Sequence, residues 1–409
     1  MKIVHIADTV NEAMGGPARS IPALATAQAR LGHEVTLVCR DFAHLGPRVG
    51  ADGVRVEAVP SSRREKTWGC FGIAFHAAVR RSVAGADVVH VHGLWTAAGV
   101  YARKAVALEG RRRPRLVVST RGMLMPKALA RSFWKKRIAW HWFERKNLEA
   151  VDLFHATSAA EAGSLEEALR GLGIRRREGD DSFPIVVVPN GVQGPARIAD
   201  RRGLEERFPD LRGKRWVIFL GRIHEVKGVR ELVQAWAQIG GARKGWVLGL
   251  AGPWVDASYV ASLRSLAVGG TVWMGELRGE EKWAALGRAD FVVVPSHTEN
   301  FSMTVAESLA AGRPVVTTTG TPWGEAETPI RMRIGMKGNN NGESMNLEER
   351  KCGVICEVTD LKRGLERMLE FSDKQREEMG GRGREWMRRE FSWEASAERL
   401  INAYQEAIG

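Results

Sequence analysis

The sequence predicts an α/β protein with two doubly wound parallel sheets, and three observations lead there. Short β-branched runs alternate with stretches of helical periodicity along almost the whole chain. Those runs are continuously apolar, as strands covered on both faces are, instead of alternating apolar with polar. The alternation stops at a polar, basic stretch, Gln193–Lys214, and then starts again. With 409 residues the chain can hold two or three domains of roughly 100–200 residues, each with its own core.

In the first half, strands are expected at Lys2–Ala7, Val35–Val38, Val54–Val59, Asp87–His90, Leu116–Thr120, Asp152–Ala156 and Ile185–Val188. Helical periodicity fills Ala18–Leu31, Phe71–Val83, Ala97–Leu108, a long Lys127–Ala150 and Ala159–Leu169. After Pro189-Asn190-Gly191 the linker carries one short helix. Strands then follow at Trp216–Leu220, Val247–Leu250, Val272–Met274, Phe291–Val294 and Pro314–Thr318, with helices between them. Pro329–Lys351, with its Asn339-Asn340-Asn341-Gly342 run, has no apolar period and reads as a flexible surface loop. From Asp360 the chain is helical, and Phe391-Ser392-Trp393 opens a last amphipathic helix, Glu394–Ile408. A lone helix of that length must pack on something to persist. The division is 1–195, 196–390 and a terminal segment 391–409. Ligands are expected at the carboxyl ends of the strands, in the cleft between the domains.

Composition excludes several classes. Apolar residues at 44% and charged residues at 27% are ordinary for a soluble globular chain. Apolar runs such as Phe291–Pro295 fall far short of the roughly 18 residues a membrane span requires. One Lys and a short apolar run broken by Asp8 read as a first strand and not as a signal peptide. The four cysteines, Cys39, Cys70, Cys352 and Cys356, fit a reducing cytosol; no second Cys or His pair stands near 352 and 356 to complete a zinc site.

The net charge of +13 is uneven: residues 101–146 hold 14 basic and 2 acidic side chains. Such a field implies an anionic partner or simply a solvated Arg-rich face. Arg131-Ser132-Phe133-Trp134-Lys135-Lys136-Arg137-Ile138-Ala139-Trp140-His141-Trp142-Phe143 interleaves aromatic and basic residues, which suits an anionic bilayer surface; buried tryptophans are the plainer alternative.

Three motifs carry chemistry. Gly15-Gly16-Pro17 lies between the first strand and the first helix, where a glycine lets backbone approach an anion at the helix N-terminus. Gly221-Arg222-Ile223-His224-Glu225-Val226-Lys227-Gly228 follows strand Trp216–Leu220, and its two cations suit phosphate oxygens. Glu299-Asn300-Phe301-Ser302-Met303-Thr304-Val305-Ala306-Glu307 follows strand Phe291–Val294 and enters a helix. Its open amides at Phe301, Ser302 and Met303 suit a diphosphate or sugar hydroxyl, and its two carboxylates can accept from vicinal hydroxyls.

With these residues the chain resembles the retaining glycosyltransferases of family 4, whose two Rossmann-like domains form the GT-B architecture. The likeness covers nearly the whole chain, including Asn190-Gly191 and Gly312-Arg313-Pro314-Val315-Val316. It implies that Arg222, Lys227 and Gly16 serve the donor diphosphate. Asn300, Phe301, Ser302 and Met303 then line the sugar, Glu307 holds the ribose, and Glu299 contacts the transferred sugar as the carboxylate nearest the reaction. It also implies that the last helix crosses back to the first domain. Many members have Gly at Ser302, whose hydroxymethyl is expected to narrow the sugar pocket. Many also have His-Gly where this chain has Arg121-Gly122. His92, followed by Gly93, is the candidate to replace that acceptor-side histidine, His90 reading as core; Arg121 is the candidate for an anionic acceptor or the donor phosphate.

The activity so implied is transfer of a sugar from a UDP- or GDP-sugar to a glycan or polyprenyl-diphosphate-linked acceptor, in bacterial surface polysaccharide or lipopolysaccharide synthesis. The setting is the cytoplasm or the cytoplasmic face of the inner membrane. The chain has no Asp-x-Asp triplet, so no metal is expected to hold the diphosphate. The other readings are a GT-B-like sugar-nucleotide epimerase or hydrolase, a non-catalytic sugar-binding subunit, and a nucleic-acid-binding protein. The last lacks any recognisable binding module.

Overall fold

The computed structural model describes every residue except 11–15, 42–52, 61–70, 175–182, 198–199, 201, 255 and 325–344. Gly15 and the loop at Asn339–Gly342 therefore lie outside the described residues. The chain forms two compact units. Met1–Gly191 and Trp393–Gly409 belong to the first, and the second is drawn from the stretch between them.

The first unit is built on seven strands: β1 (Lys2–Ala7), β2 (Glu34–Asp41), β3 (Val54–Pro60), β4 (Val88–His92), β5 (Arg115–Ser119), β6 (Leu153–Ala156) and β7 (Ile185–Val187). They lie in the order β3-β2-β1-β4-β5-β6-β7, all parallel. Covering helices bury both faces of the central strands, which is why these read as unbroken apolar runs. The order reverses between β1 and β4, and their carboxyl ends place Ala7 beside His92 and His92 beside Ser119. The strand β4 runs two residues further than the periodicity suggests, so His90 and His92 both lie on it, pointing to one face.

The second unit has six: β8 (Arg215–Leu220), β9 (Trp246–Ala251), β10 (Thr271–Gly275), β11 (Phe291–Val294), β12 (Val315–Thr318) and β13 (Gly353–Cys356), ordered β10-β9-β8-β11-β12-β13 and parallel throughout. Its reversal falls between β8 and β11. Periodicity does not reveal β13, which has only four residues and opens on a glycine. A Cβ on Gly353 would stand 2.1 Å from the Val315 carbonyl oxygen, so close pairing with β12 needs that glycine. Burial pushes the Cys352 thiol up to about 11 and the Cys356 thiol to about 12, as suits packed, unreactive cysteines.

The long helix expected at Lys127–Ala150 is broken. Pro126–Ala130 ends before Ser132, which sits in the left-handed region at φ 56°. Phe133–Ala139 then passes through a π turn at Trp140–Glu144 into Arg145–Glu149. The wider turn brings Trp140, Phe143 and Glu144 inward and leaves Trp134 and Trp142 about 70% and 69% exposed.

The terminal helix, Trp393–Ile408, packs its Ala397, Leu400, Ala403 and Tyr404 into the core that holds Ile3, Ile21, Val88 and Val117. Gly191 permits the approach: a Cβ there would lie 2.5 Å from the Trp393 Cα. Leu400→Ala should therefore lower stability by about 2–5 kcal/mol in urea unfolding, whereas Ile408→Ala at the exposed tip should change it by less than about 0.5 kcal/mol. Equal effects would mean that the helix carries no core.

Candidate active site

In the second unit the strands flanking the reversal end at Leu220 and Val294. Glycines close their loops together. Gly252 has φ +146°, and a Cβ on it would meet the Gly221 carbonyl oxygen at 1.8 Å; one on Gly228, at φ +64°, would lie 1.9 Å from the Pro295 carbonyl oxygen. Lys227 is thereby seated against the loop after β11. The His297 amide donates to the Val226 carbonyl (2.9 Å), and Lys227 Nζ pairs with Glu299 Oε1. Ser296 Oγ donates to the same carboxylate oxygen (2.7 Å), and the Glu299 amide donates to the Gly320 carbonyl (2.9 Å).

The helix Met303–Ala310 begins at this corner, where Thr304 Oγ1 donates to the Leu220 carbonyl (3.2 Å), two residues before Arg222. Arg222 is exposed and makes no ion pair among the described residues. The first carbonyl used inside the helix is that of Ser302, which accepts from the Val305 and Ala306 amides; the amides before it point off the helix end. The structure thus brings Arg222, Lys227, Glu299 and the helix start to one corner. Glu307 lies a turn further in and accepts from Lys282 Nζ at 2.7 Å.

The structure adds detail at three of the expected residues. The side chain of Phe301 is core, stacked near Trp323 and Phe391, and its carbonyl accepts from Trp323 Nε1 (2.6 Å); only its backbone remains for a ligand. Ser302 has φ +62°, a conformation glycine adopts freely, which accounts for the glycine common there in the family it resembles. Its Oγ is buried, with no hydrogen bond among the described residues, and the residue carries backbone strain of about 1–2 kcal/mol. Gly16, expected to serve the diphosphate, opens the helix Gly16–Arg30 of the first unit.

The first unit holds a buried polar cluster at its own reversal point. His155 Nε2 donates to the Val188 carbonyl (2.8 Å), so its Nδ1 accepts from Ser119 Oγ (2.7 Å). Ser119 in turn accepts from His90 Nε2 (2.6 Å), and His90 Nδ1 accepts from Tyr404 Oη (2.6 Å) on the terminal helix. A second chain begins with His5 Nε2 donating to Gln28 Oε1 (2.7 Å). His5 Nδ1 then accepts from His92 Nε2 (2.8 Å), and His92 Nδ1 accepts from Arg121 Nη2 (3.1 Å). Each assignment fixes the next tautomer and requires neutral rings. Burial supports this, lowering His5 and His155 to about 4 and holding His90 and His92 well below the usual range, with Arg121 adding repulsion.

The expectation for His92 changes accordingly. Both of its nitrogens are engaged, and it backs Arg121 instead of presenting a free ring nitrogen. Arg121 also donates to Asn190 Oδ1 (2.9 Å), sits at φ +53°, and is brought down to about 10 by burial. Its loop is clamped by Glu161, whose carboxylate accepts from Gly122 N (2.6 Å), Thr120 Oγ1 (2.9 Å), Thr157 N (2.7 Å) and Thr157 Oγ1 (2.9 Å). The imidazole nitrogens of His5, His90 and His92 lie within 4.8 Å of one another, yet their lone pairs are engaged in these bonds and a guanidinium adjoins them. The set fits a hydrogen-bond relay better than a cation site.

His5, Ser119, His155, Glu161 and Tyr404 have no place among the residues the sequence singles out. Only Glu161 carries a local signal, the Ser158-x-x-Glu161 start of a helix. Glu144 is a further such residue. It is 2% exposed with no ion pair among the described residues, accepts from the Trp95 amide (3.0 Å), and is raised to about 7 by burial. Trp95, three residues past His92, is itself left-handed at φ 66°.

The chain matches the family model described as a glycosyl transferase 4-like domain over residues 15–191, and the one described as glycosyl transferases group 1 over residues 214–330. It is 26% identical over 340 residues to a glycogen synthase of Mycobacterium tuberculosis (strain CDC 1551 / Oshkosh), covering 76% of each chain. Over 237 residues it is 28% identical to a D-inositol 3-phosphate glycosyltransferase of Segniliparus rotundus, covering 56% of this chain and 48% of that one. Among solved structures, Anabaena Alr3699/HepE in complex with UDP and glucose superposes with a TM-score of 0.67 at 17% identity, covering 98% of both chains. The sucrose-phosphate synthase of Thermosynechococcus elongatus gives 0.69 at 19%, covering 99% of this chain and 98% of that one. At such identities the likeness is one of fold: two Rossmann-like domains of the GT-B kind, as the resemblance implied.

The buried titratable groups give opposite pH signatures. The depressed histidines bind protons only when unfolded between about 4 and 6.5, so stability falls as pH drops through that window, by up to about 3 kcal/mol for each ring lowered to about 4. Glu144 has the reverse sign: its folded pKa is raised, so the native state binds the extra proton and stability falls as pH rises from about 4.5 through 7. Glu144→Gln should therefore melt above wild type at pH 8, with the advantage gone by pH 5. A constant difference across that range in thermal melts would contradict a buried, uncompensated carboxyl.

Proposed function

Because the chain belongs to the glycosyl transferases, with a 4-like domain followed by a group 1 domain, we propose that it moves a sugar from a nucleotide-sugar to a glycan or polyprenyl-diphosphate-linked acceptor with retention of configuration. The observation carrying this is the corner of the second unit where Arg222, the Lys227–Glu299 pair and the open start of helix Met303–Ala310 converge. Breaking the bond from anomeric carbon to diphosphate puts negative charge on the β-phosphate. The two cations and the helix amides are pre-set for that charge, which gains most in the transition state. Glu299, tethered by Lys227, is the carboxylate that faces the sugar as it takes on positive charge.

A UDP-sugar donor is favoured because the Anabaena protein was solved with UDP and glucose and with UDP-glucose, and an E. coli relative with UDP-2-fluoro glucose. The acceptor is assigned to the first unit, with Arg121 meeting an anionic group. That arginine is strained, half-buried beside neutral histidines, and has a buried Nε with no hydrogen bond among the described residues. Bacterial surface polysaccharide or lipopolysaccharide assembly suits such an acceptor.

The exposed Phe133, Trp134, Ile138 and Trp142, flanked by Arg131, Lys135, Arg137, Arg145 and Lys146, support peripheral docking on an anionic membrane at its cytoplasmic face. No helix among the described residues is long and apolar enough to cross a bilayer.

Glu299→Ala and Lys227→Ala are each expected to lower transfer at least about 100-fold, measured as nucleoside diphosphate released from a panel of nucleotide sugars, with the native fold retained by circular dichroism. Near-normal turnover in either variant removes the site assignment. Separately, Trp134→Ser with Trp142→Ser, or Lys135→Glu with Lys146→Glu, should weaken co-sedimentation with phosphatidylglycerol vesicles several-fold and leave nucleotide binding intact. Unchanged sedimentation in both pairs would discard the membrane reading.

A further inference from the structure

Lys282 is only 8% exposed, unusual for a lysine, and lies in the first half of helix Gly279–Arg288 among the buried Ala284, Ala285 and Leu286. Its ammonium donates to Glu307 Oε1 at 2.7 Å and stands 4.5 Å from the centroid of the Trp283 ring. Glu307 Oε2 makes no hydrogen bond among the described residues. A buried ion pair is a poor way to add stability, since well-packed apolar residues of similar size do as well; breaking one by removing a partner is what costs. The arrangement repeats the one at Lys227 and Glu299, so each carboxylate of the Glu-x7-Glu element has its own lysine. A carboxylate near a diphosphate repels it unless a cation is held alongside, and a carboxylate with one oxygen fixed has its other oxygen aimed.

We propose that Lys282 is a positioning residue for the nucleoside half of the donor: by occupying one oxygen of Glu307 it directs the other to accept a hydrogen bond from a ribose hydroxyl. This rests on the reading that Glu307 meets the ribose, and the test separates the two. Calorimetry is run with whichever of UDP, GDP and ADP binds the wild type tightest, and with the 2′-deoxy and 3′-deoxy forms of that nucleotide. Wild type is expected to prefer the ribonucleotide over at least one deoxy form by about tenfold or more, the scale of a charge-assisted hydrogen bond. Glu307→Gln should shrink that ratio to about twofold.

Lys282→Met should shrink it equally, Lys282→Arg should keep most of it, and Lys282→Met combined with Glu307→Gln should bind no worse than Glu307→Gln alone. A purely structural lysine would lower affinity for all three nucleotides together and leave the ratio alone. If Lys282→Met keeps the wild-type ratio while Glu307→Gln loses it, the inference is overturned and the ribose contact stands. If wild type shows no preference, the ribose contact falls and the inference with it. Should Lys282→Met not fold, Lys282→Ala, which removes the donor, takes its place: a shrunken ratio supports the inference and a wild-type ratio overturns it.

Discussion

A parallel sheet whose strand order reverses in the middle has one place where two loops leave in opposite directions, and everything chemical in this protein gathers at such places. In the second sheet the reversal falls between β8 and β11, and there the loop bearing Arg222 and Lys227 meets the loop bearing Glu299 through the Lys227–Glu299 pair. In the first sheet it separates β1 from β4, and His5, His92 and, one strand further, Ser119 meet there. The fold supplies these positions whatever the side chains are. Glycines with no tolerance for a Cβ, Gly228 and Gly252 in particular, then decide how tightly the loops close.

What the two units place at those positions differs in kind. The second unit uses charges in pairs. Two unit charges about 4 Å apart interact by about 4 kcal/mol at an effective dielectric of about 20, enough for Lys227 and Lys282 to orient Glu299 and Glu307. Each pair is nearly neutral, so the corner stays receptive to an anion while keeping carboxylates within reach of hydroxyls. The first unit removes charge instead. Its buried histidines are neutral by burial and by the direction of their hydrogen bonds, and the one full charge among them is Arg121. Beside those neutral rings the field of Arg121 is offset in part by the Glu161 carboxylate that clamps its loop.

Most of the architecture was legible in the sequence because it depends on repeated, short-range signals. β1 and β11 follow from continuous β-branched runs, and the helix Ala97–Leu108 from its apolar period. What escaped was whatever needed three dimensions or a single residue. The strand Gly353–Cys356 is short and starts on glycine, so it has neither length nor pattern to announce it. The break of the helix after Pro126 hinges on Ser132 taking a left-handed conformation that no serine advertises. In the site, Arg222, Lys227, Glu299 and Glu307 were legible because they sit at fixed offsets from strands. Lys282 was not, since it reaches Glu307 from a neighbouring helix with no spacing rule to mark it. His5, Ser119 and Tyr404, more than three hundred residues apart along the chain at the extremes, could be joined only by the fold.

Among the described residues five hold positive φ without being glycine, and three of them, Ser302, Arg121 and Trp95, stand near the chemistry. Each costs of the order of 1–3 kcal/mol, and each persists because neighbours over-determine it. Ser302 stands at the N-cap position of the helix between Glu299 and Glu307; the Arg121 loop is clamped by two hydrogen bonds, from Thr120 Oγ1 and Gly122 N, to Glu161; Trp95 is fixed through its amide by Glu144. The other two are Ser132, at the helix break after Ala130, and Lys351. Ser302, Arg121 and Trp95 stand within a few positions of the side chains that carry the chemistry, in loops that follow strands of both sheets. A chain that gives up stability there and keeps its strand interiors regular is using rigid sheets to hold a few residues in conformations they would not choose alone.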